Sequence, residues 1–203
     1  VLFLRTSKIL EVPSYLNIGI SYYKMNQIDK AILYLNKIYS NENIAKNQSY
    51  SYLSACYYLY LISKDNKYLD TIVRVARKDK NLSTHSKRML ADTYVILKDY
   101  EAALEVLNTI DFNVDLKKAL LNIKLKNYEK ASLLLNQAKN STQNPNTIDK
   151  ILWLSSFVEL KLNRLDRLKE TLDAINSRKL TFKANIDLPL EMYFNKNKFI
   201  LFC

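Results

Sequence analysis

Apolar positions recur along this chain in two nested rhythms. Locally they fall at the i, i+3, i+4, i+7 spacing that gives a helix one apolar face, as at Leu69, Ile72, Val73 and Ala76. Over a longer range, Gly19, Ala55 and Ala91 stand 36 residues apart, each followed three places later by a tyrosine (Tyr22, Tyr58, Tyr94). A small residue lets two helices cross closely, and the tyrosine lies one turn further along the same face. Twelve residues after Gly19 come Ala31, Leu35 and Ile38; Ala103, Leu107 and Ile110 stand at the same offsets from Ala91. The register returns at Ala119, with Ala131, Leu135 and Ala138, and at Ser156, with Leu168, Leu172 and Ile175. The small position therefore recurs at spacings of 36, 36, 28 and 37 residues, a period that marks stacked repeats. Each unit predicts a helix, a short turn and a second helix, with turns at Met25-Asn26-Gln27, Lys98-Asp99 and Lys126-Asn127.

Polar stretches divide the units. Ser40 to Asn47 reads as a linker, and Asn81 to Thr84 leads into unit three with Ser83 or Thr84 as helix cap. Asn140 to Asn146, rich in turn formers, is the longest break and precedes the longest uninterrupted helix, Thr147 to Leu162. Residues 1–11 read as the tail of an earlier helix, after which Pro13 and Ser14 reset the chain. In unit two, Lys67 stands where alanine is expected, so that second helix is shifted in register; Asn122 and Glu159 take the tyrosine place in units four and five. The expectation is an all-α chain of about five antiparallel helix hairpins forming one domain over residues 1–203. Its units run approximately 12–47, 48–82, 83–112, 113–146 and 147–178, with 179–203 as a terminal cap or linker.

Small residue, aromatic and second-helix alanine in this order resemble the tetratricopeptide repeat (TPR) family, best over residues 14–39 and 87–110, fairly over 115–138 and weakly elsewhere. With one Gly and three Pro, the chain lacks the punctuation common in that family. The resemblance implies a TPR-like solenoid, an α-α superhelix whose first helices line a concave face while second helices pack behind. Carried onto this sequence, that face takes Leu16, Ile20 and Tyr23, then Tyr52, Cys56, Leu59 and Tyr60, then Arg88, Asp92 and Val95. Leu116, Leu120 and Ile123, and finally Trp153, Phe157 and Leu160, continue it. The anchors expected to carry binding are Leu16, Ile20, Tyr23, Tyr52, Leu59, Tyr60, Leu120, Trp153 and Phe157, with Arg88 and Asp92 as a polar middle. Members that clamp the carboxylate tails of heat-shock chaperones need Lys and Asn at inner positions held here by Leu16 and Ile20, so that activity is not expected. The function implied is a non-enzymatic scaffold or adaptor that binds a peptide or helix of a partner protein.

A net charge of +11 raises a second reading, a nucleic-acid-binding helical repeat. The lysines, however, are dispersed along polar faces, and the densest run, Arg74 to Lys80, closes a helix where cations suit the negative end of the dipole. A solvated surface is the expectation, and nucleic acid is not the expected partner. A third reading is a docking or regulatory domain of an enzyme whose catalytic part lies elsewhere. Within the chain no catalytic constellation stands out: His85 is alone, and one glycine leaves no phosphate-binding loop. Asp166, Glu170 and Asp173 beside Arg164, Arg167 and Lys169 read as a salt-bridged exposed helix. Cys56 and Cys203 have no metal-site spacing, and neither a cofactor nor a metal is expected. No apolar stretch reaches the roughly 18 residues needed to span a membrane. The apolar ends, Val1 to Leu4 and Phe199 to Cys203, suggest a piece of a longer protein that self-associates through exposed apolar residues. Its compartment stays open between a cytoplasmic adaptor and an envelope or motility assembly.

Overall fold

The computed structural model describes residues 2–111 and 114–178, with side chains from residue 11 onward apart from Glu42. The expected cap over 179–203, Cys203 and the side chains of the apolar N-terminal residues lie outside the described residues. Among the described residues there are eleven helices and no strand. The chain divides into two compact units, Val1–Ile110 and Asp111–Cys203.

The first unit holds three hairpins. Helix α1 (Leu2–Lys24) pairs with α2 (Ile28–Tyr39), α4 (Ser49–Ser63) with α5 (Lys67–Lys78), and α6 (Thr84–Ile96) with α7 (Tyr100–Asn108). The short helix α3 (Glu42–Asn47) packs on α4. First helices also meet one another, α1 against α4 and α4 against α6, while α2 packs on α4 and α5 on α6. The second unit holds α8 (Asp115–Lys124) with α9 (Tyr128–Ser141), and α10 (Pro145–Lys161) with α11 (Leu165–Ser177), joined by packing of α9 on α10.

The small position is where each pair crosses. Gly19, Ala55, Ala91, Ala119 and Ser156 are all buried. A Cβ added to Gly19 would lie 2.9 Å from Leu35 Cδ2 and Cγ, so this crossing is closer than an alanine would allow without movement. Opposite, Ala31, Ala103 and Ala131 are fully buried, with Leu35, Leu107 and Leu135 beside them.

The turns repeat as closely as the crossings. Asn26, Lys98, Lys126 and Asn163 adopt positive φ, and each stands seven residues after its small residue. The next amide reaches back to the carbonyl at the tyrosine position: Gln27 N–H to Tyr22 O (2.9 Å), Asp99 to Tyr94 (2.9 Å), Asn127 to Asn122 (2.8 Å) and Arg164 to Glu159 (3.0 Å). With the partner bonds Asn26 to Tyr23, Lys98 to Val95, Lys126 to Ile123 and Asn163 to Leu160, these are Schellman closures. The carbonyls of Gln27, Asp99, Asn127 and Arg164 then accept the first amide bonds of the second helices, from Ala31, Ala103, Ala131 and Leu168. One left-handed residue thus turns the chain and sets where the second helix begins. Asparagine or lysine fills a place that glycine would take without steric cost.

The second hairpin departs from this rule and explains its shifted register. Its positive-φ residue, Lys64, comes nine residues after Ala55, and Asp65 rather than a Schellman bond opens α5 by accepting from Lys67 N–H at 3.0 Å. The buried stripe becomes Leu69, Ile72 and Ala76. Lys67 stays exposed and pairs with Asp65 at 2.9 Å.

Three expectations need correction. Pro13 does not reset the chain, because α1 runs through it from Leu2 to Lys24. Proline has no amide hydrogen for the Ile9 carbonyl, but Val12 and Leu16 are buried on either side of it and hold the helix. At 23 residues α1, not the 17-residue α10, is the longest helix. The linker over Ser40 to Asn47 contains α3, capped by the Asn41 side chain accepting from Asn43 N–H and tethered by buried Ile44.

Two substitutions check this account. Lys126→Gly should relieve the left-handed strain and raise unfolding stability by about 1 kcal/mol. Ala103→Leu should overpack the third hairpin and lower it by about 1–3 kcal/mol, both read from denaturant midpoints.

Candidate functional site

In the first unit, the first helices bring tyrosines together across helix boundaries. Tyr23 of α1 meets Tyr58 of α4 edge to face, ring centres 5.4 Å apart, and Tyr58 meets Tyr57 at 6.2 Å. Tyr50, at the start of α4, meets His85 of α6 at 6.0 Å. Positions 50, 57 and 60 share one side of α4, the side its core-facing residues leave free. Tyr50 is exposed, and Tyr23, Tyr57, Tyr58 and Tyr60 are half-buried, so each ring packs at one edge and remains open at another. Burial raises the Tyr57 phenol above its usual 10.0, and the nearby charge of Asp92 adds to the rise. Burial likewise raises Tyr58, with Tyr23 and Tyr50 contributing. These hydroxyls therefore remain neutral donors at physiological pH.

The sequence-expected residues fall into two groups. Ile20, Tyr23, Tyr60, Arg88 and Asp92 are half-buried; Tyr23 belongs to this surface, and Asp92 lies near enough to act on Tyr57. Leu16, Tyr52 and Leu59 are core residues, 4%, 4% and 2% exposed, as is Cys56. The helical spacing that put them on one face did not distinguish its solvent edge from the edge beneath α2 and α5. Tyr50, Tyr57 and Tyr58 are additions; the signal available for them was the unbroken density of tyrosines in α4.

In the second unit, Leu120 and Phe157 rest against the core of Ala119, Ile123, Ala131, Leu135 and Val158. Phe157 meets Tyr128 at 6.1 Å and carries the Lys161 ammonium 5.5 Å above its ring. Trp153 is half-buried and Leu160 exposed. Glu159, at the tyrosine position, is 5% exposed. It accepts from Ser132 Oγ at 2.5 Å, and Arg164 lies between it (3.8 Å) and Glu129 (2.5 Å). The expected charge ladder within α11 is replaced by this tie from Arg164 back to α9 and α10.

A second aromatic group lies on the first hairpin, where Tyr34 stacks on Tyr22 at 5.7 Å and tilts against Tyr15 at 6.1 Å, with Lys37 and Lys30 over the rings. Chemistry beyond binding is sparse. Among the described residues no cluster of His, Cys, Asp and Glu could hold a metal ion, and no helix is long and apolar enough to cross a membrane. Burial pushes the Cys56 thiol up to about 12, which leaves it protonated and inert.

Residues 12–43, the first hairpin and the start of α3, match the tetratricopeptide repeat family model. The fold is similar to the solved structure MamA AMB-1 P212121, a TPR-containing protein, at a TM-score of 0.61 over 92% of this chain and 99% of that one. Identity is 16%, so the likeness concerns the fold. No curated protein matches in sequence. The fold is TPR-like. The crossings and turns that recur outside residues 12–43 extend the TPR-like pattern where sequence matching does not reach, and TPR repeats generally serve protein–protein interaction rather than catalysis.

The raised phenols of Tyr57 and Tyr58 carry a pH consequence. Their folded values exceed the unfolded 10.0, so their contribution to stability is complete below pH 10.0 and is lost as pH climbs through the raised values. A Tyr57→Phe/Tyr58→Phe protein should lose less stability than the parent between neutral and strongly alkaline pH. Denaturant midpoints measured across that range check it.

Proposed function

We propose that this TPR-like chain is a non-enzymatic scaffold of a larger assembly, and that its first-helix surface binds a segment of a partner protein. Residues 1–203 acting as one repeat domain are part of the proposal. The observation that carries it is the group of aromatic contacts that links Tyr23 of α1 to Tyr58 and Tyr57 of α4, and Tyr50 of α4 to His85 of α6. A tyrosine offers a large rigid ring and a polar tip at small entropic cost, which makes it a frequent anchor in interfaces. Rings open on one side, with neutral hydroxyls, suit the apolar face of an amphipathic helix or an extended segment. Ile20, Tyr23 and Tyr60 remain as anchors from the sequence reading, with Arg88 and Asp92 at the polar edge. Leu16, Tyr52 and Leu59, being buried, serve as support beneath the surface. In the second unit the corresponding anchors are Trp153, Phe157 and Leu120.

Calorimetry with a partner recovered by pull-down tests this. Tyr23→Ala and Tyr60→Ala should each weaken binding by about 1–4 kcal/mol with the helical spectrum intact, and Trp153→Ala should do the same in the second unit. Lys130→Ala, on α9, should change it by less than about 0.5 kcal/mol. If Lys130→Ala abolishes binding and the tyrosine changes do not, the aromatic surface is not the site.

A further inference from the structure

The first unit also has a cleft away from the tyrosine surface. A cleft of about 470 Å³ opens where α3, the start of α4 and the end of α5 meet. Lys46, Arg74, Lys78 and Lys80 line it, with Asp79 as the one acid, and Ala45, Val75 and Tyr52 supply apolar wall. Asp79 accepts from Asn81 N–H at 2.9 Å and offsets one of the four cations. Among the described side chains no carboxylate forms an ion pair with any of the four cations. Part of their charge answers the negative end of α5, but that end needs only about half an elementary charge. Four cations against one carboxylate in the same hollow exceed it.

On the opposite flank of α5 a second hollow shares Arg74 and Lys78 but is lined by Asp70 and Asp99 as well, and Arg77 there donates to Tyr94 Oη at 3.1 Å. Three cations, Arg74, Arg77 and Lys78, there face two carboxylates, so this hollow is more nearly balanced than the α3–α5 cleft, where four cations face one. The larger positive excess lies at the α3–α5 cleft, to which Lys46 and Lys80 contribute without lining the second hollow.

We propose that this cleft binds an acidic protein segment in which carboxylates alternate with small apolar side chains. Charge complementarity fixes the sign of the occupant, and the apolar wall favours a peptide over a bare polyanion. A nucleic-acid backbone would need the cations to continue along a track, whereas Asp79, Asp70 and Asp99 interrupt them on both flanks of α5. The site is separate from the tyrosine surface of α1, α4 and α6, and it stands or falls independently of it.

The test uses the full chain and fluorescence anisotropy at near-physiological salt. Three labelled probes are compared: a decapeptide of alternating Glu and Val, its Gln and Val analogue, and a decamer of uridine. The Glu peptide should bind, and Arg74→Glu/Lys78→Glu should weaken it by at least about tenfold. The equally charged control Lys130→Glu/Lys150→Glu in the second unit should change it by less than about twofold. Both substituted residues of the cleft pair are exposed, and the helical spectrum together with a neutral Arg74→Gln/Lys78→Gln protein separates loss of binding from loss of fold. The proposal is overturned if the Gln peptide binds equally, if the control pair costs as much as the cleft pair, if no probe binds, or if the uridine decamer binds more tightly than the Glu peptide.

Discussion

Everything in this chain depends on two helices being able to approach until backbone nearly meets side chain. At Gly19 the approach is so close that even a methyl group would press on Leu35, and at four further places alanine or serine holds the equivalent position. Close approach alone would leave the second helix free to slide. The turn removes that freedom, because the amide one residue beyond the left-handed position can reach only the carbonyl at the tyrosine position. Crossing point and turn length together place Ala31, Ala103 and Ala131 opposite their partners. The apolar stripes then face inward without further instruction.

Much of this was legible in the sequence, because a crossing of fixed geometry demands small residues at fixed intervals. The all-α hairpin repeat, the turns at Asn26, Lys98 and Lys126, and the Ser83 cap of α6 all follow from local chemistry that a single sequence carries. What escaped were cases where a local signal was outweighed by packing. Pro13 signals a break, but buried neighbours on both sides carry α1 across it. The polar run after Ser40 signals a linker, but one buried isoleucine and one asparagine cap are enough for α3.

The candidate site was less legible than the fold. Helical periodicity assigns a residue to a face, but the edge of that face covered by the next helix depends on tertiary contacts. Leu16 and Tyr23 share a first helix and an expected role; one is core and the other half-open to solvent. Tyr58, at the tyrosine position of the repeat, is half-open and meets Tyr23, whereas Tyr94 at the same position is buried. A tyrosine at the same offset thus reports packing in one hairpin and surface in another, and only the neighbouring helix decides.

The buried carboxyl group of Glu159 has a consequence for how α9 and α10 fit together. Leucine on alanine is forgiving, and one helix can creep along another while trading one apolar contact for the next. Sliding α10 by a single residue would carry Glu159 away from Ser132 and Arg164 away from Glu129, and a buried carboxylate oxygen left without its donor costs about 1–3 kcal/mol. Ser132, Glu159 and Arg164 therefore act as an index pin. They admit one alignment of these two helices and penalise every neighbouring one, which keeps a repetitive sequence from assembling out of step with itself.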